Sequence, residues 1–309
     1  MFDIDLRIDD LDQQQREDAT KSIYNLVLHL TSKLNINYLD SVVYTSEFKK
    51  DILSFQRLKN VQEGYTEASF GSAVAKVISY KEGIQQRYVV FLDSPLFWAL
   101  FNQENEKYKN WAVHTLHHEL GHVHDHSLRF HSYEPFEITR TDDFMTIACK
   151  LGEFMWMEFI ADRLAISSFT ETTSLRDADV RSLALSLVET MGNTFHEYVM
   201  DGDSYKVFIK IQEESNLLLN ITGNLLGRVH GLKLQEYLES MRMDYYTPYL
   251  VRFSEELEEL YNSYPDWHGI RDFLPFGRVI IDLWEALGVS FDADQEGIII
   301  KISKPSVLT

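Results

Sequence analysis

One stretch decides how this chain is interpreted: His114-Thr115-Leu116-His117-His118-Glu119-Leu120-Gly121-His122-Val123-His124-Asp125-His126. His118 and His122 are the ends of an HExxH pattern. Residues four apart on a helix lie one turn above each other on the same face, so both imidazoles can reach a single zinc ion. Glu119 lies about a hundred degrees round the helix, where it can take a proton from a metal-activated water without being a ligand. The stretch therefore predicts a helix with a zinc site on one face and a base on its flank.

The spacing of the histidines leaves the register of this site to be decided. Four of them are spaced by four: His114, His118, His122 and His126. Only His118 is followed by a glutamate, so only the pair that begins there has a base in position. We interpret His114 and His126 as groups at the rim of the site or as partners of its ligands, and we assign no role to His117 and His124.

A catalytic zinc usually has three protein ligands and one open position, so a third ligand is expected downstream. Glu158 and Asp162 lie four apart within an apolar helical stripe, where burying either carboxylate without a partner would be costly. A metal resolves this cost if Glu158 binds zinc and Asp162 accepts the free ring N–H of a ligand histidine. The alternatives are that the pair forms salt bridges with Arg163 or another cation, or that the helix is half exposed. Glu153, on the opposite face, is the rival third ligand.

The two motifs together, His118-Glu119-Leu120-Gly121-His122 and Glu158-Phe159-Ile160-Ala161-Asp162, resemble the gluzincin metallopeptidases. In particular they resemble the ImmA/IrrE-like group, in which a strand precedes the HExxH helix and a later helix supplies a glutamate ligand. The resemblance covers about residues 88–166. It implies a zincin-like core, Glu158 as the zinc ligand and hydrolysis of peptide bonds. The chain departs from that group in a loop at 130–142, in a long helical segment after 175, and in showing no helix-turn-helix domain.

The pattern of apolar residues predicts an α+β fold that is mainly helical, with a small β-sheet packed on the HExxH helix. Val113, Leu116, Leu120 and Val123 form the stripe of that helix expected to face the core. Helices are predicted over 16–34, 104–124 and 143–169 and over most of 179–287, strands over 41–44, 74–80 and 88–92, and a closing hairpin over 289–302. We divide the chain into a zincin-like metallopeptidase domain, 1–175, and a helical C-terminal region, 176–309, that ends in the hairpin; no linker marks the boundary.

Composition limits the classes of protein to consider. The 309 residues carry a formal net charge of -19, which disfavours binding to nucleic acid because phosphates would be repelled. The start of the chain is acidic and lacks the apolar stretch of a secretory signal, and no run of about eighteen apolar residues predicts a membrane span. Cys149 is the single cysteine and excludes an intrachain disulfide. We expect a cytoplasmic protein that does not enter membranes.

These observations predict a zinc metallopeptidase that acts on a specific protein or peptide substrate. By the resemblance, that substrate is a regulatory protein such as a repressor. The helical C-terminal region would then serve for substrate docking or for homo-oligomer formation. The alternatives are a non-catalytic metal-binding sensor or interaction protein on a metallopeptidase scaffold, and a zinc hydrolase that does not cleave peptides.

Glu119 favours an enzyme over the sensor, because a purely structural site does not need that residue. A fourth protein ligand, for example His114 or Cys149, would favour the sensor, since structural zinc sites are closed. A peptidase also needs a donor for the oxyanion. The candidates are His131, Tyr133 and His196, and the sequence does not choose among them.

Overall fold

A computed structural model describes residues 2–64, 67–68, 71–102, 104–129, 143–170, 177–229, 245–267, 269–294 and 297–308. Over these ranges the chain is mainly helical with a small sheet, which confirms the α+β prediction at that level. The loop predicted at 130–142 lies outside the described residues. No helix in the described ranges is both long enough and apolar enough to cross a bilayer.

The chain forms two compact units, and each is built from two separate stretches. The first unit contains the described residues of Met1–His131 and Leu164–Thr173, and the second contains those of Ser132–Arg163 and Ser174–Thr309. The helix that carries Glu158 therefore groups with the C-terminal helices, whereas the sequence analysis grouped it with residues 1–175.

The first unit is built on a four-stranded sheet in the order β1-β2-β6-β5. Its strands are β1 (Asp3–Arg7), β2 (Leu39–Thr45), β5 (Ala75–Glu82) and β6 (Gln85–Asp93), while β3 (Glu67–Ala68) and β4 (Gly71–Ser72) pair with each other. β1, β2 and β6 are parallel, and β5 is antiparallel to β6. The turn between β5 and β6 uses Gly83 at φ +63°, a left-handed conformation that glycine adopts without steric cost.

The helices of this unit cover both faces of the sheet. They are α1 (Gln13–Leu30), α2 (Phe48–Lys59), α3 (Ser94–Leu100) and α4 (Glu106–Arg129), with a 3-10 turn at Ala165–Ser168. Successive strand residues point to opposite faces, so Val42 and Val90 join the core beneath α1, α3 and α4, whereas Val43 and Val89 join the core beneath α2.

α4 is the helix predicted from the histidine stretch, and it packs on the sheet as expected. Leu116, Leu120 and Val123 are fully buried in the core under it, and Val113 packs against that core at the side. The helix runs five residues further than predicted. Its last turn is held by Asp125, which forms a buried ion pair of 2.6 Å with Arg129.

The second unit consists of helices and a hairpin. Its elements are α5 (Phe144–Leu164), α6 (Asp177–Asp201), α7 (Ser204–Val229), α8 (Thr247–Asn262), α9 (Leu274–Ala286), β7 (Val289–Asp294) and β8 (Gly297–Ile302). The hairpin predicted at the end of the chain is confirmed as the antiparallel pair β7 and β8. The helical prediction for 179–287 agrees with α6 to α9 where the structure describes it, and its part at 230–244 lies outside the described residues. The break predicted near Asp201 falls at Gly202, whose φ is +73°.

Candidate metal centre

The two histidines of the HExxH pattern face each other on α4. Their Nε2 atoms are 3.0 Å apart, and their rings are perpendicular with centroids separated by 4.6 Å. His118 is half-buried, and His122 is buried with 9% of its surface exposed. A tetrahedral zinc ion with bonds of about 2.0–2.1 Å holds its ligand atoms roughly 3.3 Å apart, so these two nitrogens lie about 0.3 Å closer together than such an ion would hold them.

Glu158 completes a group of three possible ligands. The ligand atoms of His118, His122 and Glu158 all lie within 4.8 Å of one another, and the group could hold a metal ion. In the part of the chain that the structure describes, no other group of His, Cys, Asp and Glu meets this condition. Glu153, the rival third ligand, is buried and does not belong to the group. Two imidazoles and one carboxylate are a donor set that suits zinc.

Glu119 is buried in the middle of α4, with 8% of its surface exposed. It follows His118 directly, so it lies on the flank of the histidine face, as the helical spacing requires. This is the position that the base of an HExxH helix occupies.

Lys76, which no sequence motif indicated, lies within electrostatic reach of Glu119, the proposed base. It belongs to β5, at the edge of the sheet, and its Nζ donates to the carbonyl oxygen of Gly64 at 2.5 Å. Burial lowers the pKa of Lys76, and the charge of Glu119 acts in the opposite direction. A half-buried cation thus lies within electrostatic reach of Glu119. The sequence carried no signal for this pair, because the residues belong to different elements.

Asp162 has a partner that the sequence analysis named only as an alternative. The carboxylate is fully buried, and its Oδ1 accepts a hydrogen bond of 2.9 Å from Nε of Arg228 on α7. The cation anticipated next in sequence was Arg163, whereas the one observed comes from a helix far along the chain. The further role proposed for Asp162, accepting the ring N–H of a ligand histidine, stays a prediction.

Glu158 also has a partner on α7. Its Oε2 accepts a hydrogen bond of 2.6 Å from Nδ2 of Asn224. A carboxylate has two oxygens and about four lone-pair sites, so this bond does not exhaust its capacity to bind a cation. Asn224 and Arg228 are four residues apart, as are Glu158 and Asp162. Two donors one turn apart on α7 therefore bond to two carboxylates one turn apart on α5.

Two histidines of α4 bond to one serine of the 3-10 turn. The Nδ1 atoms of His114 and His117 lie 3.2 Å and 3.0 Å from Oγ of Ser168. Burial, followed by the neighbouring histidines His114 and His118, lowers the pKa of His117 to about 4. The sequence analysis gave His117 no role, and the structure places it in the packing of α4.

The last two histidines of the stretch also have neighbours in the first unit. Nδ1 of His124 accepts a hydrogen bond of 2.6 Å from the backbone N–H of Asn35. His126 packs against the ring of Tyr88, and burial, followed by the charge of Arg129, lowers its pKa to about 3. Both side chains help to fix α4 on the sheet.

The side chains considered as a fourth ligand have other neighbours. His114 bonds to Ser168, and Cys149 is buried with its Sγ 3.5 Å from the carbonyl oxygen of Phe273, to which it donates. Neither belongs to the group formed by His118, His122 and Glu158, as far as the described residues extend. The described ligand set therefore has three members, which is the number found in catalytic zinc sites.

The oxyanion donor is still to be identified. His131 and Tyr133 lie outside the described residues. His196 is exposed on α6, and no described contact connects it with the candidate metal centre.

Comparison with known proteins adds no relative. No protein-family model, no curated protein and no solved structure matches this chain.

Proposed function

We propose that this protein is a zinc metallopeptidase of the gluzincin type, similar to the ImmA/IrrE-like group, with His118, His122 and Glu158 as zinc ligands. The observation that carries the proposal is the grouping of these three side chains, which were predicted from two motifs 36 residues apart in the sequence. The donor set of two imidazoles and one carboxylate supports zinc, which this set holds in catalytic sites.

The metal and the residues around it would have separate roles in peptide hydrolysis. When bound, zinc would polarise the scissile carbonyl and lower the pKa of a coordinated water. Glu119 takes a proton from the attacking water and delivers it to the leaving amine. Its burial keeps bulk water away from this transfer, which strengthens its electrostatic interactions. Asp162 is proposed to accept the free ring N–H of a ligand histidine.

The substrate is proposed to be a peptide bond in a specific cytoplasmic protein. The resemblance to the ImmA/IrrE-like group supports a regulatory protein, such as a repressor, as that substrate. The second unit supplies a long helical surface for substrate docking or for contact with another copy of the chain. Glu119 favours this activity over a metal sensor, because a sensor does not require a base beside its ligands.

The substitution Glu119→Gln tests the proposed activity. The change removes the base but keeps the shape of the side chain, so peptide hydrolysis should fall by a factor of at least about 10² while zinc stays bound. Cells that express either the wild type or Glu119→Gln can be compared by mass spectrometry of new protein N-termini, and zinc can be measured by elemental analysis of the purified proteins.

The matched control is Glu106→Gln, the same change at an exposed position in the first turn of α4. This variant should produce the wild-type set of cleavage fragments. Fragments that persist at the wild-type level in Glu119→Gln would show that Glu119 is not the base. A wild-type protein that binds zinc but generates no fragments would favour the sensor.

A further inference from the structure

We propose that α7 carries a positioning motif for the metal centre, Gly223-Asn224-x-x-Gly227-Arg228, in which Asn224 orients the third ligand, Glu158. The inference rests on the proposed function only in taking Glu158 as a metal ligand. It adds a third helix to the site, after α4 and α5, and it assigns different tasks to the two carboxylates of α5.

α5 and α7 approach each other closely at two glycines. A Cβ at Gly223 would overlap the carbonyl oxygen of Met155 and lie 3.1 Å from Cβ of Glu158. A Cβ at Gly227 would overlap the carbonyl oxygen of Phe159 and lie 2.9 Å from Cβ of Asp162. Each glycine thus brings the α7 backbone against α5 beside one of the two carboxylates. Any larger residue would push the helices apart.

Each glycine is followed directly by a residue whose side chain donates to a carboxylate of α5. Asn224 follows Gly223 and donates to Glu158, whereas Arg228 follows Gly227 and donates to Asp162. The same arrangement therefore occurs twice, one turn apart. Because the glycines fix the distance between the backbones, these short polar contacts have little freedom to lengthen.

The two donors differ in charge. Arg228 carries a full positive charge and compensates Asp162, a fully buried carboxylate that is not a proposed ligand. Asn224 is a neutral amide, so it can hold Glu158 in one rotamer without competing with a divalent cation for its charge. A guanidinium at this position would instead neutralise the proposed ligand. The two described donors therefore differ as the two roles would require, a neutral amide on Glu158 and a cation on Asp162.

Asn224 is accordingly a positioning residue, which acts through Glu158. Hydrogen-bond partners of metal ligands contribute to metal affinity by fixing the orientation of the ligand, and their loss costs about 10–100-fold in affinity. We expect a decrease of this size in zinc affinity for Asn224→Leu, which keeps much of the volume and removes the donor.

The experiment measures zinc affinity of the full-length chain by competition with a chromogenic chelator at pH 7. It also records the visible absorption spectrum of the Co²⁺-loaded protein, which reports ligand geometry. Asn216→Leu is the matched control, because it makes the same change on the same helix two turns away. The melting temperature of each metal-free variant separates a loss of positioning from a general loss of stability.

The expected result is weaker zinc binding and an altered Co²⁺ spectrum for Asn224→Leu, with neither change in Asn216→Leu. Should Asn224→Leu fail to fold, Asn224→Ala removes the donor without adding bulk and is expected to show the same two changes. A wild-type zinc affinity and Co²⁺ spectrum in a folded Asn224 variant would overturn the inference. If the wild type itself binds no zinc, or if Glu158→Ala binds it normally, the proposed metal site fails instead.

Discussion

Cys149 lies on α5 inside the second unit, where its surroundings keep the thiol protonated. Its side chain is buried, and its Sγ donates to the carbonyl oxygen of Phe273. Gly277 packs against it so closely that a Cβ there would lie 2.8 Å from Sγ. Burial, followed by the charge of Asp143, raises the pKa of Cys149 to about 12. The thiolate, which is the nucleophilic form, is therefore scarce at neutral pH.

We predict that Cys149 reacts with thiol reagents much more slowly in the folded protein than in the unfolded chain. At pH 8 the folded protein should be labelled by Ellman's reagent at least about 10²-fold more slowly than the protein in guanidinium chloride, because an unperturbed cysteine has a pKa of about 8.5. The raised pKa also predicts that labelling accelerates as the pH rises towards about 12. Rapid stoichiometric labelling of the folded protein at pH 8 would contradict the burial of this side chain.

For the histidines of α4, the sequence predicts the spacing within the helix but not the partners that other elements supply. The glutamate after His118 identified one pair among four evenly spaced histidines, because helical geometry is local. The bonds of His117 to Ser168 and of His124 to Asn35 could not be predicted in this way. Their partners are distant in sequence, so only the folded chain brings them together. Asn224 escaped prediction for the same reason.

At the scale of elements, the contact between α5 and α7 depends on glycine. We predict that Gly227→Ala lowers the free energy of unfolding by about 1–3 kcal/mol, because the added methyl group forces the two backbones apart. The effect can be measured by urea denaturation followed by circular dichroism.

Gly64→Ala provides the control for Gly227→Ala. The nearest atom to a Cβ at Gly64 is Nζ of Lys76 at 3.8 Å, which is an ordinary contact. This control should change the free energy of unfolding by less than about 0.5 kcal/mol. Equal stabilities for the two variants would mean that α5 and α7 are not in close contact in solution.

The elements that the sequence predicted best are those with a clear apolar period. Leu116, Leu120 and Val123 identified the buried face of α4, and two apolar segments joined by a turn identified β5 and β6. β1 was not assigned, because three of its five residues are charged and the strand lies at the edge of the sheet. The packing of α7 on α5 was not predicted either, since periodicity shows which face of a helix is buried but not what covers it.

At the scale of the whole molecule, zinc should stabilise the folded chain. A ligand that binds only the folded state at a free concentration about 100-fold above its Kd adds roughly 2.7 kcal/mol to the free energy of unfolding. For a chain of this length, that corresponds to an increase in melting temperature on the order of 5 °C. Differential scanning fluorimetry of protein stripped with a chelator and then titrated with zinc measures this shift.

Glu158→Ala distinguishes the proposed site from adventitious binding to this acidic protein. The variant should contain less zinc and show a smaller shift, because only two of the three proposed ligands remain. Mg²⁺ serves as a second control, since it prefers oxygen ligands and should not reproduce the shift. An identical shift in Glu158→Ala would indicate that zinc binds elsewhere.

The two compact units alternate along the chain, which limits how recombination can divide the gene. Since each unit combines two separate stretches of the chain, no single cut in the gene separates one from the other. A recombination event near codon 175 would leave α5 without α7, and so would deprive Glu158 and Asp162 of Asn224 and Arg228. A transferred gene segment that keeps the histidines of α4 with Glu158, Asp162 and their partners must therefore extend at least from α4 through α7.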